Sequence, residues 1–301
     1  MWRKIPFLFV VFLLATACGE DRLTIAATDD SPEALAESQI EERLTRIVSL
    51  SSTSTEILFA IGAGEQVVAV DSLSDFPPEA PVTELSAWEP SVEAIASFEP
   101  DLVIVFFDPG DLLSGLEAIG IPVIHHLAAT SLDDAYRQIE DLGLITGNRE
   151  GALELIGEMQ TRIEEIVTDY SNVVSASPIT YYHEVDDMLY SPTSASFIGS
   201  IYSLFGLQSI ADAADSTGSG FPQLNSEYII KADPDVIFYG CALWCGTTAD
   251  SIAARPGWKE LTAVQRGAIV EVDDNLTSRW GPRVVDFVAT IGASLESLLD
   301  S

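Results

Sequence analysis

The chain has 301 residues, 47% of them hydrophobic, and a formal net charge of −33 from 47 acidic against 14 basic side chains. That length suffices for two lobes of ordinary domain size, each with its own core. So large an acidic excess argues against nucleic acid and anionic lipid as electrostatic partners, and reads as a solvated surface.

Residues 1–17 open with Arg3 and Lys4, run through an apolar stretch from Ile5 to Leu14, and end in small residues before Cys18. The stretch is too short for a comfortable membrane span and has the build of an export signal. A cysteine at the cleavage point resembles a bacterial lipoprotein box, in which Cys18 is lipidated and holds the protein at a membrane without a span. An ordinary secretory signal with a free Cys18 is the other reading. Residues 18–43 are acidic, rich in Ala and Ser and weakly patterned, the composition of a flexible tether.

From residue 44 onward strand and helix signals alternate, the pattern of an α/β fold. RIVSL (46–50), VVAV (67–70), DLVIVFF (101–107) and PVIHHL (122–127) read as strands. The wholly apolar third run suits a parallel sheet covered on both faces. A helix is expected from about Thr53 to Ile61, where Thr53 and Glu56 have capping-box spacing and Gly62 supplies the stop. Further helices are expected in SVEAIASF, in LLSGLEAIG, and after Ser131, a good N-cap. A longer uninterrupted helix spans about Arg149 to Ser171, with Leu153, Ile156, Met159, Ile163 and Ile166 at helical spacing. The alternation then resumes, with strands in ITYYHEV (179–185), DVIFYG (235–240) and AIVEVD (268–273). Helices are expected in SFIGSIYSLFGL, in SEYII and after Pro282.

One stretch occurs nearly twice. EAIASFEPDLVIV from Glu93 is echoed by EYIIKADPDVIFY from Glu227, with Ile95/Ile229, Glu99/Asp233, Pro100/Pro234 and Asp101/Asp235 at the same offsets. The echo marks equivalent helix–turn–strand units. The expected architecture is therefore two similar α/β lobes, residues 44–147 and 173–301, with parallel-type sheets joined by one long bridging helix at 148–172. Ligands of open parallel sheets sit beyond the carboxyl ends of the strands, so two facing lobes enclose a cleft.

No G-x-S-x-G elbow, P-loop, G-x-G-x-x-G or H-E-x-x-H occurs, and no catalytic residue is assigned. Carboxylates are too abundant for a pair of them to carry information. Cys241 and Cys245 stand close together in CALWC. Outside the cytoplasm such a pair reads first as a disulfide; a metal site lacks further Cys or His ligands nearby.

RIVSLSSTSTEILFAIG, SDFPPEA, ELSAWEPSVEAIASFEPDLVIV, FPQLNSEYIIKADPDVIF and SRWGPRVVDF together resemble the solute-binding proteins of ABC importers for vitamin B12, haem and ferric siderophores. The likeness runs from about Arg46 to Leu299 and is strongest to the vitamin B12-binding members. It implies two lobes bridged by a rigid helix, a cleft that closes only a little, no catalysis and no resident cofactor. It further implies an extracytoplasmic monomer whose partner is a membrane permease with its ATPase. The implied ligand is a cobalt corrinoid, with a ferric siderophore or haem second; an extracytoplasmic metal-dependent hydrolase is the reading from another class.

The resemblance also assigns residues. Glu93 and Glu227 match acids that dock on the permease; the plainer alternative is that both favour the positive ends of their helices. Trp88 and Phe221 match cleft aromatics, Trp88 as a stacking face or else a core anchor. Phe106 and Phe107 end a strand, so one of them would face the cleft. Arg279 and Trp280 lie between the last strand and the last helix, and Arg279 would hold a propionamide or phosphate or else form a surface ion pair. His183 and Glu184 end the first strand of the second lobe. His183 would reach a cobalt or iron axially, or make an ordinary hydrogen bond. Leu73 and Asn275 depart from the pattern of the vitamin B12-binding members. Cys241 and Cys245 would border the cleft as a rigidifying disulfide, and no protein-held metal is assigned.

Overall fold

The computed structural model describes residues 45–170 and 178–299. The expected export signal, Cys18 and the tether at 18–43 lie outside the described residues.

Two four-stranded, wholly parallel sheets carry the fold. The first contains β1 (Ile47–Leu50), β2 (Val67–Val70), β3 (Leu102–Val105) and β4 (Val123–His125) in the order β2-β1-β3-β4. The second contains β5 (Thr180–Glu184), β6 (Gln208–Ser209), β7 (Val236–Tyr239) and β8 (Ile269–Glu271) in the order β6-β5-β7-β8. The second order is the first with four added to each number, so the two lobes share one topology. β1, β3 and β7 are buried along their whole length, as their largely apolar runs require in sheets covered on both faces.

The sequence echo corresponds to one structural device built twice. Ser91 and Asn225 cap two short helices by accepting from the amides of Ala94 and Tyr228. Each helix gives way to a non-glycine residue in left-handed backbone, Glu99 at φ 50° and Asp233 at φ 48°. Two residues later an aspartate clasps the start of the neighbouring strand. Asp101 accepts from the Thr45 amide (3.0 Å) and Asp235 from the Thr180 amide (2.8 Å). The threonine hydroxyls donate to the same carboxylates.

The bridging helix spans Arg149–Tyr170 and buries Ala152, Met159, Ile163 and Ile166. Leu153, expected on the same stripe, is exposed. The helix packs against Leu132–Ile145 of the first lobe and Val284–Leu299 of the second. At one point on each lobe the approach is too close for an ordinary side chain. A Cβ on Gly151 would lie 2.4 Å from the Ile61 carbonyl oxygen, and one on Gly292 would lie 2.4 Å from the Tyr170 ring. The two glycines thus let the helix seat against each lobe.

Three expectations shift in the structure. The first helix runs Ser52–Ala60 and is capped by Ser51, which accepts from Ser54, rather than by Thr53. Glu56, expected in the capping box, is drawn instead into an ion-pair network. β3 stops at Val105, so Phe106 and Phe107 lie beyond the strand. The two-residue β6 had no signal of its own, since an edge strand this short needs no apolar run.

The lobes also touch directly. Glu56 of the first lobe accepts from Arg279 (3.0 Å) and from Arg283 through Nε (3.0 Å) and Nη2 (2.5 Å), both arginines belonging to the second lobe. Arg279 reaches further, to the Leu73 carbonyl (3.1 Å) and Asp75 (3.5 Å). Trp280 donates its indole N–H across the divide to Gln138 (2.8 Å). This seam forms the floor on which the cleft is built.

Candidate ligand-binding cleft

Two adjoining cavities of about 450 and 540 Å³ lie between the lobes and share Ala128, Asp274, Ser278 and Trp280. The first is walled by residues that follow the carboxyl ends of β1, β2 and β3: Ser51 and Ser52, Asp71 and Leu73, and Phe106. The second is walled by His183 at the end of β5 and by Phe197 and Phe221. Such placement is what parallel sheets dictate, because their strand ends leave the loops free to carry function.

Aromatic faces dominate the first cavity. Trp88 stands 5.4 Å from Phe106 edge-on and 5.6 Å from Phe107, ring centre to ring centre. It is 56% exposed, so it is a cleft face and not a core anchor. Phe107 buttresses Trp88 from outside the cavity lining. The second lobe contributes Trp244 to the same cavity, 72% exposed. It rides on the short helix Ala242–Cys245, whose ends are tied by the Cys241–Cys245 disulfide with a Cα–Cα distance of 5.2 Å. Sequence reasoning had singled out the cysteines and passed over the tryptophan between them. A large apolar residue inside a staple too short to form a core was the available signal.

Phe221 lines the second cavity at the end of a loop organised by Asp215. That carboxylate accepts from the amides of Ser219 (2.9 Å) and Gly220 (2.8 Å), and these bonds hold its proton affinity below the usual range. Trp280 borders both cavities and meets Phe197 edge-on at 6.4 Å.

The polar candidates separate. His183 is buried, lines the second cavity and pairs through Nδ1 with the Tyr202 hydroxyl at 2.8 Å. Burial pushes its imidazole down to about 3, so the ring is neutral. Gly240 keeps the space beside it open. A Cβ there would fall 2.8 Å from Asp274 Oδ1 and 3.7 Å from His183 Nε2. Glu184, one residue on, points to the other side of the strand. It is fully buried, bonded by Arg255 (2.5 and 2.7 Å) and by the Tyr182 hydroxyl (3.2 Å), and it does not reach the cleft. Arg279 lines the first cavity, but its guanidinium is engaged with Glu56, Leu73 and Asp75.

Asp71 and Asp274 are cleft acids that sequence reasoning missed amid so many carboxylates. Asp71 is held by the Ser74 hydroxyl (2.5 Å) and the Leu73 amide (2.9 Å), and burial raises its proton affinity. Asp274 borders both cavities, and burial together with neighbouring Asp273 pushes its pKa up to about 6. Glu93 and Glu227 are exposed near the starts of their matching helices and stand apart from the cleft. Neither His125 nor His126 lines it. Tyr181 and Tyr182 are core residues.

The arrangement offers aromatic side chains from both lobes, a neutral imidazole and several carboxylate acceptors around a slot between the two lobes. Aromatic faces can stack and carboxylates can accept hydrogen bonds.

A family model described as periplasmic binding protein matches residues 47–276. An uncharacterized ABC transporter substrate-binding lipoprotein of Bacillus subtilis, YvrC, is 28% identical over 263 residues, 85% of this chain and 81% of its own length. A cobalamin-binding protein of Halobacterium salinarum is 30% identical over 254 residues, 81% of this chain and 67% of its own length. Among solved structures, the periplasmic heme-binding protein RhuT from Roseiflexus superimposes with a TM-score of 0.72 at 26% identity, covering 84% of this chain and 98% of its own.

Proposed function

The chain belongs to the periplasmic binding protein family, and within it we propose that this protein is a lipid-anchored receptor that captures a corrinoid. It is a substrate-binding protein of an ABC importer in the vitamin B12, haem and siderophore group, works outside the cytoplasm, and serves a permease with its ATPase. Its family binds rather than transforms, which removes the hydrolase reading. The corrinoid and the anchor on Cys18 are our reading.

The observation that carries the corrinoid is the pair of exposed tryptophans that the two lobes bring to one cavity. Trp88 from one lobe and Trp244 from the other both reach the same cavity and both expose most of their surface. Two such aromatic surfaces gathered on one cavity favour a ligand with a broad apolar face, since covering them removes apolar area from water. A corrin ring is such a body, and the Halobacterium relative, similar over most of this chain, is named for binding cobalamin. A haem has the same flatness, and the Roseiflexus structure is named for binding it, so haem is the second reading.

The test is titration with cobalamin, followed by tryptophan fluorescence and by heat, with haem and a ferric siderophore in parallel. Saturable one-to-one cobalamin binding, weakened at least tenfold in Trp88→Ala and in Trp244→Ala, is expected. Binding of haem or the siderophore with silence toward cobalamin would replace the ligand and keep the class. The anchor is tested separately, by metabolic labelling with a fatty acid. Label lost in Cys18→Ser is expected, and an unlabelled parent protein would remove the anchor.

A further inference from the structure

We infer that the cleft selects against negatively charged ligands, so that it sorts flat chelates by the charge of their side chains; this deepens the corrinoid reading and rests on it. Three carboxylates line the two cavities: Asp71, Asp215 and Asp274. Among the described residues the one arginine or lysine in either lining is Arg279. Its charge is already matched. Arg279 and Arg283 together face Glu56 and Asp75, two cations against two anions. The one histidine in the linings, His183, is buried and hydrogen-bonded to Tyr202, and burial keeps it neutral.

A ligand carboxylate entering this slot would lose hydration, meet like charges, and find no uncommitted cation. Haem carries two propionates at its edge. A corrin ring carries carboxamides, which are neutral and whose N–H groups donate. An amide donor meeting a carboxylate acceptor makes a charge-assisted bond, stronger than a bond between neutral groups. The acids that repel propionates are therefore the acceptors that carboxamides require. Asp215 and Asp71 are pinned by backbone amides, and Asp274 borders both cavities.

The experiment compares two flat rings, each with and without negative side chains. The probes are cyanocobalamin, its monocarboxylic acid with one carboxamide hydrolysed, haem, and haem dimethyl ester, titrated into the purified protein at low ionic strength. Each added negative charge should weaken binding about tenfold, as expected for like charges near a protein surface. The gap should narrow in high salt and in Asp274→Asn. Equal or tighter binding of the monocarboxylate, or of haem over its diester, would overturn the inference. If cyanocobalamin is ignored while the diester outbinds haem, charge selection stands and the corrinoid reading falls. If none of the four binds, both fall.

Discussion

Glu56 and Arg283 stand 227 residues apart and on different lobes, yet Arg283 donates both Nε and Nη2 to one carboxylate. The Glu56 side chain is 1% exposed, and Arg279 donates to the same group. A single buried anion of the first lobe is therefore clasped by two cations of the second. Buried ion pairs add little net stability over apolar packing, but removing one partner strands the others. The pair is best understood as setting how the lobes sit.

Glu56→Gln should accordingly destabilise the protein by roughly 3 kcal/mol, because two largely buried guanidinium groups lose their counterion. Urea denaturation followed by fluorescence measures this. A change under about 0.5 kcal/mol would mean that the seam is surface decoration.

Gly151→Ala should cost roughly 1–3 kcal/mol, the range for forcing a methyl group into a closed contact, since its Cβ would meet the Ile61 carbonyl at 2.4 Å. Gly157 on the same helix has open space around it, so Gly157→Ala should be neutral or stabilising. Thermal melts of both variants decide the matter, and equal melting points would contradict the seating described.

Asp274 gives a pH signature. Its folded pKa is raised from 3.8 to about 6, by burial first and Asp273 second. A raised folded pKa means that the group's contribution is fully present below about pH 4 and lost as pH climbs through about 6. Asp274→Asn should therefore be more stable than the parent at pH 7.5, by roughly 1 kcal/mol once solvent screening of a half-exposed group is allowed for. It should be no more stable at pH 4. Parallel denaturation curves at the two pH values test the sign, and a uniform offset would refute it.

Glu93 and Glu227 occupy equivalent positions on matching helices and are exposed. Replacing both by Ala should leave ligand binding unchanged and abolish uptake with the cognate permease and ATPase. Either change alone should reduce uptake only in part, since an exposed ion pair contributes about 0.2–1 kcal/mol. Full uptake by the double variant would reduce both acids to helix-terminus residues.

Much of the fold was legible because parallel sheets demand long apolar runs and helices need caps. RIVSL, DLVIVFF and DVIFYG became β1, β3 and β7 within a residue or two, and Ser131 caps its helix as expected. The echo at Glu93 and Glu227 announced the shared topology. The short helices at Ala249–Ala253 and Thr262–Gln265 went unread, being too brief to show a period.

The site was less legible, and the reason lies in range. Phe106 could be proposed because it ends an apolar strand run, and Trp88 and Phe221 because they match cleft aromatics of the resembled family. Glu184 and Arg279 could not be judged, because their partners, Arg255 and Glu56, are 71 and 223 residues away. Asp71 and Asp274 were hidden by abundance, since nothing local separates a cleft acid from the many that only face solvent.

A helix seated by glycine against both lobes, with a buried ionic seam beside it, ties the two halves together at two separate places. Any swing of one half against the other would have to strain both attachments at once, and the ionic one would leave a buried charge without its partner.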